Sequence, residues 1–221
     1  MIKPDIVARR IGSEGQPIAI VDGFHPDPDA LRAAALAATF EPGRHHYPGI
    51  RAPLPAEYFA QVRPALVPVL REVLGAASVE LLDASFSMVT TPPAELGAEQ
   101  RLPHIDAVQP GLIALVHYLS EGDGTAFFRH RATGFETIDA ARSAGYLATL
   151  NAELRADPPE AAYPFGDTKL FERIAHVEAR YNRAVIYRSA LLHSGAISPD
   201  AVLDGDPATG RLTVTAFLSA T

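Results

Sequence analysis

His104 and Asp106 stand two positions apart in "LPHIDAVQPG" (102–111), the first offering an imidazole nitrogen and the second a carboxylate. Alternate residues of an extended segment point to the same side, so this spacing aims both groups at one point and permits two ligands to a metal ion. Spacing alone decides little. With eight histidines and 13 aspartates in 221 residues, chance supplies about 0.5 His-X-Asp pairs. The chain has a second pair, His25 and Asp27 in "FHPDPDA", but there the aspartate is placed to cap a helix, and the pair reads as a decoy.

What raises His104 and Asp106 is their company. His193, in "YRSALLHSGAIS", lies 87 residues beyond Asp106, after a strand-like run and before a small Ser-Gly pair. Two histidines and one carboxylate suit non-haem Fe(II), because the opposite side of the ion stays open to substrate oxygens and dioxygen. Eighteen residues after His193, Arg211 opens the strand-like "GRLTVTAFL", with Thr213 on its face. An arginine held there can fork onto a carboxylate, helped by the threonine hydroxyl. His117 and Tyr118 lie on the strand-like "GLIALVHYLS" that follows the His-X-Asp pair; alternation turns only one of them inward, and the sequence does not choose which.

The elements that must carry these residues follow from composition and patterning. The length suits one domain, 1–221, and 48% hydrophobic residues support a sizeable core. No cysteine occurs, so thiolate catalysis, disulfides and cysteine zinc sites are excluded, and any metal must be held by His, Asp and Glu. A net charge of -7 with scattered arginines argues against a nucleic-acid partner. No run approaches the roughly 20 apolar residues of a membrane span and no signal-peptide pattern opens the chain, which reads as cytoplasmic. Nothing in the sequence indicates a homo-oligomer.

Residues 1–78 read as a strand plus a helical flank. "PIAIVDGF" (17–24) is a strand ending at Gly23, and "DPDALRAAALAA" (27–38) a helix with Asp27 as N-cap and Pro28 at its first position. "AEYFAQVRPALVPVLREVLG" (56–75) has helical spacing interrupted by Pro64 and Pro68, which predicts a bent helix or two short ones. From residue 79 the texture turns to β-branched and aromatic runs bounded by Gly, Pro and Asp: "VELLDASFSMVT", "GLIALVHYLS", "TAFFRHR", "IAHVEARYNRAVIYRS" and "RLTVTAFLSA". Between them 136–157 reads as helical, within an insertion near 134–173. The fold class is α+β, mainly β.

Taken in order, these motifs resemble the Fe(II)- and 2-oxoglutarate-dependent dioxygenases, especially their prolyl 4-hydroxylase-like branch. That family carries His-X-Asp, then a strand like "IALVHYLS", a Gly-rich turn with threonine like "EGDGTAFF", later "LLHSG" and finally an arginine strand. The resemblance covers about residues 102–218. The chain departs from the pattern with GDGT where a Gly-Gly pair is common, Thr213 where many relatives have serine, and the long insertion. The resemblance implies a double-stranded β-helix (jelly roll) with Fe(II) at His104, Asp106 and His193. It further implies 2-oxoglutarate as cosubstrate, with its distal carboxylate on Arg211 and Thr213 and with His117 or Tyr118 where relatives often have an aromatic hydroxyl near it, and hydroxylation of a small molecule or a peptide side chain with release of succinate and CO2.

Other clusters read more plainly. "GRHHYPGIRAP" (43–53) gathers His45, His46, Tyr47 and Arg51 and reads as a solvated loop, and Arg129, His130 and Arg131 read as solvent-facing strand ends. Two other readings of the ligand triad stay open: a non-catalytic jelly-roll module that binds a metal or ligand, and a cupin-like metal-dependent hydrolase or isomerase, which has no use for Arg211.

Overall fold

The computed structural model describes residues 3–43 and 47–220. The β-branched runs form an eight-stranded antiparallel sheet and a three-stranded one. The large sheet contains β1 (Asp5–Ile11), β2 (Gln16–Asp22), β3 (Glu41–Pro42), β4 (Gly49–Ala52), β5 (Val79–Val89), β6 (Leu112–Tyr118), β9 (Arg183–Arg188) and β11 (Leu212–Ala220), in the order β1-β2-β9-β6-β11-β5-β4-β3. The small sheet contains β7 (Gly122–His130), β8 (Phe171–Ala179) and β10 (His193–Gly195), in the order β10-β7-β8. From β5 onward the chain alternates between the sheets: β5 and β6 lie in the large one, β7 and β8 in the small one, then β9, β10 and β11 alternate large, small, large. The mainly β, α+β reading holds.

Three apolar layers hold the sheets in place. Ala19, Val21, Phe86, Met88, Leu115 and Val214 turn from the outer face of the large sheet onto the helices α1 (Pro28–Leu36) and α2 (Tyr58–Pro68). Their alternate neighbours, including Ile18, Ile20, Tyr118, Val185 and Tyr187, meet Phe127 and Val177 of the small sheet. The far face of the small sheet, with Ala126, Phe128 and Phe171, packs on Tyr146 and Leu150 of α3 (Ala140–Ala156), which lies between β7 and β8 as the insertion requires. Period-two alternation thus divides each inner strand between two cores.

The local signals mostly act as read. Asp27 caps α1 by accepting the Ala30 N–H at 3.1 Å, with Pro28 at the first position. Asp27→Ala should lower stability by about 1 kcal/mol, measured by urea denaturation, through loss of that cap. Around Pro64 and Pro68 the chain stays helical rather than dividing. α2 runs through Pro64 and then widens into a π-turn at Val69–Val73, closed by the Leu74 N–H on the Val69 carbonyl at 3.1 Å. Each proline lacks the N–H of the i→i−4 bond, and the wider turn absorbs the mismatch.

Three strands were not expected. β1 pairs with β2 as a largely exposed edge hairpin, β4 forms within 43–53, which was read as loop, and β3 pairs with it from just before that stretch. His45 and His46 lie outside the described residues. Among the described residues, no helix is long and apolar enough to cross a membrane.

Candidate metal centre

The segment after a 3-10 turn at Ala98–Arg101 runs extended past β10. There His104 and His193 exchange backbone hydrogen bonds in both directions, 2.8 and 2.9 Å, and the Asp106 N–H donates to the Ser189 carbonyl at 2.9 Å. These bonds bring the three predicted ligands together. One donor atom from each of His104, Asp106 and His193 lies within 4.8 Å of the others. Asp106 Oδ1 is 3.9 Å from His104 Nε2, and Asp106 Oδ2 is 3.6 Å from His193 Nε2. His193 forms the buried floor, while His104 stands half-exposed at the mouth.

The tautomer of His193 follows from its surroundings. Its Nδ1 lies 2.8 Å from the Leu191 carbonyl, which can only accept, so Nδ1 carries the proton and Nε2 presents a lone pair toward Asp106. Tyr187 packs edge-on against the ring with centroids 4.7 Å apart, and the His104 ring centre sits 4.6 Å away. Desolvation pushes the His193 imidazole down to about 4. Desolvation of the inward-facing Nε2, then the neighbouring His193, push His104 down to about 4 as well, although part of that ring meets solvent. Burial pushes the Asp106 carboxyl up to about 6, against the opposing charge of His104 and a weaker effect of Arg51. Two neutral imidazoles and a carboxylate that is costly to ionise in its present surroundings converge without a cation between them. Such a donor set fits a divalent transition metal.

Arg211 lies just behind the ligands. On β11 the residues Leu212 and Val214 face the helices, so Arg211 and Thr213 share the opposite face, between the sheets. The Arg211 guanidinium donates from Nη2 to the Gly124 carbonyl at 2.9 Å and stands 5.9 Å from the Tyr118 ring centre. Its Nε is buried and has no partner among the described residues. A Cβ on Gly195 would lie 3.8 Å from that Nη2, and Gly195 is two residues from His193, a strand rise of about 7 Å. The GDGT departure from a Gly-Gly pair is accommodated here. Gly124 keeps the essential glycine, because a Cβ there would lie 1.7 Å from the Val177 carbonyl oxygen.

The choice between His117 and Tyr118 is resolved by the pleat. Tyr118 faces inward, its hydroxyl 2.6 Å from that of Thr125, and burial pushes it up to about 12. His117 faces the helices instead, with Nδ1 3.1 Å from the Tyr58 hydroxyl and Nε2 3.1 Å from Asn182 Oδ1. The expectation that His117 touches a cosubstrate is therefore corrected: it belongs to a buried polar cluster on the other side of the sheet. His25 joins that cluster through Asn182, whose Oδ1 accepts the His25 N–H at 2.8 Å and whose Nδ2 donates to the His25 carbonyl at 2.9 Å, which leaves the decoy pair structural. Thr213 donates to the Ser87 carbonyl at 2.9 Å and keeps its lone pairs.

Other residues at the site were not anticipated. Ser85, Ser87 and Thr215 form a hydroxyl chain across β5 and β11, with Ser87 to Thr215 at 2.7 Å, and Tyr187 supports His193. Short polar residues alternating with large apolar ones along "DASFSM" carried that signal. Arg51 also turns to this face, with its guanidinium 4.4 Å over the Tyr47 ring, which corrects the solvated-loop reading for these two residues. Arg129 and His130 are likewise engaged: Arg129 pairs with Glu136 and Glu172, and the buried His130 with Glu153 at 2.8 Å. Only Arg131, with Asp167 at 3.1 Å, stays at the solvent edge.

A family model described as "Family of unknown function (DUF6445)" matches residues 2–218. The chain belongs to the DUF6445 family. No curated protein matches it. Among solved structures this DUF6445 chain is similar to one titled "Crystal Structure of EvdMO1", at 10% identity and a TM-score of 0.45. That match covers 99% of this chain and 55% of the other, so the chain spans about half the length of that protein.

Proposed function

We propose that this protein is an Fe(II)- and 2-oxoglutarate-dependent oxygenase that hydroxylates a small molecule or a peptide side chain. The observation that carries the reading is a conjunction. Two imidazoles and a carboxylate converge at one point, and an arginine with an unpaired buried Nε sits one strand step behind them, on the same side of the sheet. The alternation of β5 to β11 between two antiparallel sheets, with the ligand segment beside β10, supports reading the fold as a double-stranded β-helix.

In this reading His104, Asp106 and His193 hold the metal, and bound Fe(II) with 2-oxoglutarate supplies dioxygen activation, oxidative decarboxylation to succinate and CO2, and oxidation of the substrate. The chain's own part is placement. Leu191 holds the His193 tautomer, and the paired backbones of His104 and His193 set the spacing of the ligands. Arg211 offers its fork to the distal carboxylate of the cosubstrate, with Tyr118, Thr125 and Thr213 supplying hydroxyls around it. Phe127, Tyr187 and Leu191 are the apolar walls that keep water from the reacting centre. The inward Arg211 favours this reading over a hydrolase or isomerase built on the same three ligands, which has no use for it.

Anaerobic addition of Fe(II) and 2-oxoglutarate should produce the weak visible charge-transfer absorption of such a chelate, and aerobic incubation should release succinate. Arg211→Ala should weaken 2-oxoglutarate binding about 10- to 100-fold, the scale of a charge-assisted contact, with Fe(II) affinity preserved. No chelate band and no succinate from the native protein would end the proposal.

A further inference from the structure

We propose that Arg51 anchors a carboxylate of the organic substrate, on the β4 side of the metal ligands, while Arg211 serves the cosubstrate. This inference rests on the oxygenase reading for its division of labour between the two arginines.

The register of the large sheet aligns one row of side chains. Arg51 of β4 is paired with Ser87 of β5, Ser87 with Thr213 of β11, and Thr213 with Tyr118 of β6. Ile50 and Ala52 pack toward the helices, so the intervening Arg51 points to the inner face with the rest of the row. Two strand spacings, on the order of 10 Å, separate it from the Arg211 strand. A single five-carbon diacid bound at the metal through one end meets one of these cations, which leaves the other for a second molecule.

Arg51 is also poorly satisfied. Among the described residues its hydrogen bond is a long one, from Nη1 to Asp83 at 3.4 Å, and the Asp83 side chain is 59% exposed, a rim contact of little strength. Its Nε is buried without a partner. By contrast Arg183, in the same row beyond Tyr118, is paired on both sides of its fork with Asp22, at 2.7 and 2.8 Å. Tyr47 stacks on the Arg51 guanidinium at 4.4 Å and holds the fork flat, with its free edge available to a planar carboxylate. Arg51 is thus a fixed, underused cation on the inner face of the large sheet, in the same row as Thr213 and Tyr118.

The test uses Mn(II)-loaded full-length protein saturated with 2-oxoglutarate, so that Arg211 is occupied, and benzoate as the probe with benzamide as its uncharged counterpart. Paramagnetic broadening of the probe's proton resonances reports binding beside the ion. Benzoate should be broadened and benzamide not. Arg51→Gln should reduce benzoate affinity at least ten-fold, Arg51→Lys should restore part of it, and 2-oxoglutarate binding by calorimetry should persist in both. Equal broadening in Arg51→Gln, equal broadening by benzamide, or none by benzoate in native protein would overturn the inference. Failure of 2-oxoglutarate to bind is a separate result that sinks the cosubstrate reading, and the same titration without it then tests Arg51 by itself.

Discussion

His193→Ala should lower Fe(II) affinity by more than about 100-fold, beyond the ~10- to 100-fold usual for residues that only support a ligand. His193 is the buried donor whose proton is fixed on Nδ1 by Leu191, so its loss removes the one candidate ligand whose lone pair is already aimed. The ring also packs on Tyr187 and His104, and its removal leaves a gap in the inter-sheet wall. His104→Ala separates the two effects. That side chain is half-exposed, so its loss should cost metal affinity while leaving the thermal transition nearly unchanged. Anaerobic competition with a chromophoric chelator measures both variants, and unchanged affinity in both would refute the metal centre.

Glu136→Ala should destabilise the fold by about 3 kcal/mol, the low end for breaking a buried charged contact. In a chain of this length that corresponds to roughly 6–12 °C in Tm. Glu136 is fully buried, and its carboxylate accepts the Ser13 and Glu14 N–H groups at 2.9 and 3.0 Å, the Ser13 hydroxyl at 2.9 Å and the Arg129 guanidinium. It thereby joins the β1–β2 turn to the connection between β7 and α3. Burial pushes its carboxyl upward, but the backbone donors of Glu14 and Ser13, with Arg129, outweigh it and hold the group below the ordinary carboxylate value. A depressed folded value means that the stabilisation is fully present above the unfolded pKa and lost as pH falls through the folded one. The gap between native protein and Glu136→Gln in urea melts should therefore be wide at pH 7, begin to shrink as the pH falls below the ordinary carboxylate value of about 4, and close only below the lower folded value. A gap independent of pH would mean that the charge contributes nothing.

The convergence of His104, Asp106 and His193 was legible because the relevant information is local: His-X-Asp on an extended segment, "HSG" at a strand end and an arginine opening a strand each project their side chains by simple alternation. Asp27 was legible as a cap because Asp-Pro fixes both the acceptor and the first helical φ. Less could be read where tertiary pairing decides. β1 carries Arg9 and Arg10 on an exposed edge and has no clear alternation. β4 exists because β5 offers it an edge and β3 because β4 does in turn, although their own residues, rich in Gly and Pro, suggest loop. The inward faces of Tyr118 and Arg51 are set by register, since a slip of one residue would exchange His117 for Tyr118 and Ile50 for Arg51. Glu136 is drawn into burial by a turn more than a hundred positions away, for which the sequence near it carries no sign.

The reciprocal backbone bonds between His104 and His193 would also tie the binding of any metal there to folding. The two segments meet only when the sheets are assembled, so the unfolded chain has the donors but not their arrangement. Any cation held by them binds the native state in preference and stabilises it by mass action, by about 2.7 kcal/mol at a free concentration one hundred times its Kd. With a metal held there, the apparent stability of this protein would become a function of the metal supply around it.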